Sequence, residues 1–252
     1  MARYQLILAY DGTDFSGFQR QGETRTVQKV VETVLTELGW NEETILFAGR
    51  TDSGVHASGQ VVVFSLDWQH ENETLVNALN AKLPSDVSVQ SISRVEAEFH
   101  PRYDASSRCY AYTIYHLPYR QPLLERFAWR IWPPLNGALL SQAADTVLGW
   151  HDFSAFGRAM KPGSSTVREI FESRWTSTDL GWRYEIRANA FLYHMVRRLV
   201  FLQVQFAKGN LTIGNLTDGL IGNATMKPGL APSNGLVLTK VLYEDRMQGS
   251  VD

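Results

Sequence analysis

Residues 4–10 read YQLILAY, a short apolar run closed by the turn formers Asp11 and Gly12, and that length and punctuation predict a buried β-strand. The spacing then changes. Val27, Val30, Val31, Val34, Leu35 and Leu38 recur at intervals of three and four, which places one apolar stripe on an α-helix with Thr26 as its N-cap. Residues 44–47 and 59–66 predict strands, 71–83 a helix and 87–95 another strand, so this part of the chain runs β, α, β, β, α, β.

A second series begins near Arg108, where CYAYTIYH alternates in the manner of a half-buried strand, and Pro118, Pro122, Pro133 and Pro134 interrupt the stretch after it. Helices fit 136–148 and 191–207. Between them 167–177 and 182–190 predict a hairpin, and 215–222 predict a short helix ahead of a last strand over 235–243. The expectation is an α+β fold in two halves of similar element content, 1–105 and 106–252, without a letter-by-letter repeat.

With 252 residues and 44% hydrophobic content the chain can bury a substantial core. The opening MARYQLILAY is too short an apolar run for a signal peptide, and no segment approaches the roughly 18 apolar residues of a membrane span, so a cytoplasmic protein without membrane contact is expected. One cysteine, Cys109, excludes an internal disulfide and a thiolate metal cage. A net charge of −2 weighs mildly against a nucleic-acid partner. Its distribution tempers that, because acidic residues gather in 42–43, 67–73, 96–98 and 244–252 while arginines sit in Gly-rich and aromatic stretches, which leaves room for a local basic groove.

The run AGRTDSGVHA, residues 48–57, carries the chemistry. In an extended segment Arg50 and Asp52 would share one face, and a guanidinium beside a carboxylate favours the ionised acid. Gly49 and Gly54 permit a tight turn and close approach, so Asp52 is expected at a cleft mouth, suited to act on an electron-poor sugar carbon. A structural turn with a surface ion pair fits the same residues. YDGT, from Tyr10, is similar to the nucleophile loop of haloacid dehalogenase-type phosphatases, but Ala9 stands where that nucleophile belongs, so Asp11, Gly12 and Thr13 read as a turn. Tyr110 and Tyr112 fall on one strand face with Arg108 beside them, a stacking surface for a displaced base or ordinary core packing. His194, Arg197 and Arg198 lie at helical spacing and read as a phosphate clamp or a solvated helix face. The six histidines lack metal-ligand spacing, and no P-loop or dinucleotide fingerprint is present, so neither metal nor cofactor is expected.

Several ordered motifs then point to one family: YDGTDFSGFQRQ from Tyr10, TVQ from Thr26, AGRTDSGVHA from Ala48, GQVVVF from Gly59, LNAKLPSDVSV from Leu79, FHPRYDASSRCYAY from Phe99, HDFSAF from His151, ANAFLYHMVRR from Ala188 and APSNGLVL from Ala231. Along nearly its whole length the chain resembles the tRNA pseudouridine synthase A family. The resemblance implies an isomerase that converts uridine to pseudouridine at positions 38, 39 and 40 of the tRNA anticodon stem and loop, with no cofactor or metal. It makes Asp52 the nucleophile, Tyr110 the residue stacked on the target uracil, Arg50 and Arg197 active-site arginines, and Leu236 an apolar lining of the uracil pocket. It also implies two α/β-sandwich halves sharing a mostly antiparallel central sheet, a cleft between them, base flipping and a homodimer. After Arg198 the chain departs from the family's usual glycine and small residues with LVFLQVQFAKGN, which brings in Phe201 and Gln203. A catalytically silent RNA-binding protein and a glycosidase-like hydrolase are the rival readings. The hydrolase requires a second carboxylate about 5.5 Å from Asp52.

Overall fold

The computed structural model describes residues 1–161, 163–222 and 226–244. Its strands are β1 (Ala2–Tyr10), β2 (Leu46–Phe47), β3 (His56–Leu66), β4 (Val87–Arg94), β5 (Ala105–Tyr115), β6 (Trp129–Arg130), β7 (Gly149–Asp152), β8 (Val167–Thr178), β9 (Gly181–Ala188) and β10 (Leu236–Tyr243). Its helices are α1 (Val27–Glu37), α2 (Asn72–Lys82), α3 (Pro122–Glu125), α4 (Gly137–Asp145), α5 (Met195–Ala207) and α6 (Ile213–Leu220). All ten strands join one sheet in the order β4-β1-β3-β10-β5-β9-β8-β7, with β2 added to β3 and β6 to β5. Among the described residues only the β10–β3 and β5–β6 pairs are parallel. This is the mostly antiparallel α+β architecture expected from the chain.

The sheet carries two hydrophobic cores. In the first, Leu6 and Leu8 of β1 and Phe64 of β3 pack with Val31 and Leu35 of α1. Thr26 caps that helix, accepting from the Lys29 N–H at 3.4 Å. In the second, Tyr112 of β5, Trp175 of β8 and Tyr184 of β9 pack with Phe153 and with Leu199 of α5. The last strand, β10, is the seam: Leu238 pairs with Ala57 of β3 on one side and with Tyr110 of β5 on the other. At this seam Gly59 is required, because a Cβ there would run into the Thr239 carbonyl of β10.

Phe201 and Gln203 find places in α5. Phe201 covers Gly229, and fully buried Gln203 accepts from Trp175 Nε1 at 2.6 Å while donating to the Tyr184 hydroxyl at 3.1 Å. Among the described residues no helix is long and apolar enough to cross a membrane.

Several boundaries differ from those expected. The strand expected over 44–47 contracts to β2, and the one expected from 59 begins at His56, inside the Gly-rich run. The helix expected from 191 starts at Met195, because His194 has φ 67°, a left-handed backbone that no α-helix contains. The short elements β6, β7 and α3 were not expected, since two to four residues span too little chain to display a periodicity.

Candidate active site

Asp52 lies on the loop between β2 and β3, and that loop is pinned from the side of β1. The Thr51 hydroxyl bonds the Tyr10 hydroxyl at 2.8 Å, and the Thr51 carbonyl accepts the Phe18 N–H at 3.1 Å. Ser53 Oγ and the Gly54 N–H both donate to the Phe15 carbonyl, at 3.2 and 3.3 Å. A Val55 N–H bond to the Asp52 carbonyl at 3.1 Å closes the turn, with Gly54 at φ 74°, a conformation that favours glycine. These contacts fix the backbone and leave the Asp52 side chain to the tertiary surroundings.

Its partner arrives from α5. Arg197 Nη1 donates to Asp52 Oδ2 at 2.9 Å while Arg197 Nε donates to the Ala231 carbonyl at 2.9 Å, so one guanidinium ties the acid to the segment ahead of β10. His194 Nε2 lies 3.4 Å from the same Oδ2. Oδ1 has no hydrogen-bond partner among the described residues. The expected pairing of Asp52 with Arg50 is therefore replaced by Asp52 with Arg197. Residues 49–52 belong to no strand, so the two-residue rule that would set Arg50 and Asp52 on one face of a sheet does not apply. Arg50 is exposed at the rim of the same cavity, without an ion pair among the described residues.

The cavity has a volume of about 550 Å³, and Asp52, Arg50, Tyr110, Phe191, Arg197 and Leu236 are among its walls. All five residues that the resemblance assigns to the site thus line one hollow. The Tyr110 ring meets Phe191 edge-on, with centroids 5.2 Å apart and planes at 89°. Burial pushes the Tyr110 hydroxyl well above its ordinary pKa, helped by the neighbouring Tyr10 and by the Asp52 charge, so it stays protonated at any working pH. Tyr112, two residues on, is fully buried and donates to the Pro232 carbonyl at 2.8 Å, which fixes the approach to β10 and so places Leu236.

Two features were not legible in the sequence. The trio His194, Arg197 and Arg198 splits, because neighbouring helical positions point about 100° apart. Arg198 turns away to the Gly229 and Met226 carbonyls at 2.7 and 3.2 Å, while His194 stands beside Asp52. His194 is the only non-glycine residue with positive φ among the described residues, a strain of about 1–2 kcal/mol. Its ring stacks on Tyr193 at 3.7 Å and 27°. Arg108 is the second: its guanidinium donates to the carbonyls of Asn189 at 2.9 Å and Ala48 at 3.4 Å, joining the Asp52 loop to the end of β9.

The wall chemistry is lopsided. Arg50, Arg102, Arg108 and Arg197 line the cavity, and Asp52 is its one carboxylate among the described residues. A strongly basic hollow therefore sits on a chain of net charge −2, and it lacks the second acid that a two-carboxylate glycosidase mechanism requires.

Comparison with known proteins identifies the family. A family model described as tRNA pseudouridine synthase matches residues 6–104 and 143–244. The chain is 36% identical over 256 residues to the tRNA pseudouridine synthase A of Roseiflexus castenholzii, covering 100% of this chain and 94% of that protein. It is 34% identical over 244 residues to the enzyme of the same name from Thermoanaerobacter sp., covering 96% of this chain and 100% of that one. With the Chloroflexus aurantiacus protein of that name the identity is 37% over 251 residues, covering 96% and 89%. The fold, the basic hollow and full-length similarity converge: this chain belongs to the tRNA pseudouridine synthase family, isomerases that act on uridine in tRNA.

Proposed function

We propose that this chain forms pseudouridine at positions 38, 39 and 40 of the tRNA anticodon stem and loop, with Asp52 as the nucleophilic carboxylate acting on a flipped-out nucleotide. The observation that carries the reading is the division of labour at Asp52: Oδ2 is clamped by Arg197, and Oδ1 has no partner among the described residues of the cavity. The ordered motifs shared with the family support the anticodon-arm substrate.

The reaction breaks the bond from C1′ to N1, turns the detached uracil and joins C1′ to C5. The proton on C5 leaves and N1 gains one, so no atoms or electrons are added. A base stacked in an RNA stem cannot reach Asp52, which is why the nucleotide has to swing out. A cavity of about 550 Å³ is within the range of roughly 300–1,000 Å³ that holds small ligands. Leu236 and Phe191 supply apolar walls that keep water from the detached uracil. Tyr110 supports the ring face and, being neutral, can donate its hydroxyl proton. Arg197 orients the carboxylate through its hydrogen bond to Oδ2, and Arg50, at the rim without an ion pair among the described residues, contacts the rearranged backbone. Two copies of the chain in a homodimer extend the basic surface over one tRNA, and a strictly monomeric yet fully active protein in light scattering overturns that assembly.

The decisive experiment is tritium release from tRNA carrying 5-³H-uridine at position 38, 39 or 40 only. Release by the wild-type chain and none by Asp52→Asn is expected. Release of free uracil would instead establish a hydrolase, and tRNA binding without tritium release would leave a silent RNA-binding protein.

A further inference from the structure

The reading of Asp52 as the reacting acid leaves one neighbour without a task. We infer that His194 is a positioning residue for Asp52: its imidazole, set against Oδ2, shares with Arg197 the work of holding that oxygen back, so that Oδ1 is the oxygen presented to substrate. This inference rests on the proposed role of Asp52.

Three independent features place the ring there. The backbone of His194 is left-handed at φ 67°, although a non-glycine side chain disfavours it. Such strain persists where the surroundings over-determine it, typically at functional sites. At the N-cap of α5 a polar side chain ordinarily bonds the first-turn N–H groups, yet His194 makes no such bond and turns into the cavity. Its ring is then fixed from one side by the Tyr193 stack at 3.7 Å and from the other by Asp52, with Nε2 3.4 Å from Oδ2. A glycine at 194 would remove the strain, and the chain keeps the imidazole instead.

The charge state is set by the neighbours. Asp52 on the β2–β3 loop, Arg197 in the first turn of α5 and Arg158 on the loop after β7 are the charged groups whose fields act on the ring. Burial lowers the His194 pKa, Asp52 opposes that, and the two arginines reinforce it, so the ring is neutral at pH 7 and gains its proton below 6.5, its ordinary value. An imidazolium beside Oδ2 adds a second full cation to a carboxylate already paired with Arg197, and a doubly paired carboxylate attacks more slowly.

The test is single-turnover tritium release from 5-³H-uridine tRNA across pH, with thermal melting, for wild type, His194→Gly, His194→Gln and Asp52→Asn. Glycine suits φ 67° and removes the ring. It is expected to keep Tm within about 4 °C, to leave KM unchanged and to lower kcat roughly tenfold to a hundredfold, the scale of a misplaced reacting group. Glutamine, whose amide reaches as far as Nε2, is expected to recover most of kcat. The wild-type rate is expected to fall as pH drops below about 6.5, and that limb to be missing in both His194 variants, a change that a merely structural residue would not produce. A His194→Gly or His194→Gln protein with wild-type kcat and the wild-type acid limb overturns the inference. If the glycine protein fails to fold, the limb in His194→Gln decides alone. An active Asp52→Asn protein sinks the underlying reading, whereas an inactive one beside unaffected His194 variants sinks the inference only.

Discussion

Two aspartates in this protein are equally covered, each with 19% of its side chain exposed, and each has a histidine and an arginine for neighbours. Asp11 spends both oxygens. Its Oδ1 accepts from the Thr13 N–H and hydroxyl at 3.0 and 2.6 Å and lies 3.1 Å from His56 Nδ1, and its Oδ2 accepts from Arg126 Nε at 2.6 Å. Burial raises the Asp11 carboxyl, but the Thr13 bonds, Arg126 and the His56 charge outweigh it and bring the pKa below the usual value. His56 accepts the Gly12 N–H at 3.0 Å on Nδ1 and faces the Asn234 carbonyl at 3.2 Å with Nε2, and burial lowers its pKa. That group is a closed knot joining the end of β1, the start of β3 and the approach to β10. Asp52, which lines the cavity, spends one oxygen and leaves the other without a hydrogen-bond partner among the described residues. Residue type and exposure do not separate these two acids; the tally of filled and unfilled acceptor positions does.

The largest expected contrast is chemical. Asp52→Asn should lower the rate of tritium release by at least about 10³-fold with a normal melting temperature, while Asp11→Asn keeps turnover. Loss of turnover in both, with both folded, would erase the distinction. Next, Arg197→Lys cannot serve Asp52 and the Ala231 carbonyl with one planar group, and kcat should fall roughly tenfold to a hundredfold in single-turnover assays.

Asp11→Asn shows its effect in stability. Denaturant titration should give a loss of about 1–3 kcal/mol at pH 7. Because the folded pKa of Asp11 is depressed below 3.8, its stabilisation is present above that value and disappears as pH falls through the folded pKa, so the wild-type and variant curves should converge in acid. Arg50→Ala, at the rim and without an ion pair among the described residues, should reduce the slope of log affinity for tRNA against log salt by about 0.7–0.9, one phosphate contact. The smallest effect concerns His56. With its folded pKa below the unfolded value of 6.5, the unfolded chain takes up the proton first and stability declines as pH drops below 6.5; His56→Gln should flatten that part of the curve in pH-dependent melting.

Much of this was written locally. The apolar stripe of α1, the alternation of β5 and the turn formers after β1 each depend on residues within one or two turns of chain, which is why those elements stood where periodicity put them. AGRTDSGVHA likewise drew attention to Asp52, since glycine, arginine and aspartate in one short run announce a tight loop with an acid in it. The same locality misled at Arg50, because period-two reasoning assumes a strand that residues 49–52 do not form. It misled again at His194, where the repeat of ANAFLYHMVRR continues through a residue whose left-handed backbone ends it.

The chain's own letters thus settled the kind of fold and the family and singled out Asp52 as the candidate acid, since propensity, spacing and motif order are properties of near neighbours. Folding alone assigned the acid its company. Arg197 reaches Asp52 across 145 positions; β10 enters between β3 and β5, and the same guanidinium is tied to the Ala231 carbonyl ahead of that strand. Which guanidinium meets a carboxylate, and which oxygen is left open, depends on distances through space that no reading along the chain contains.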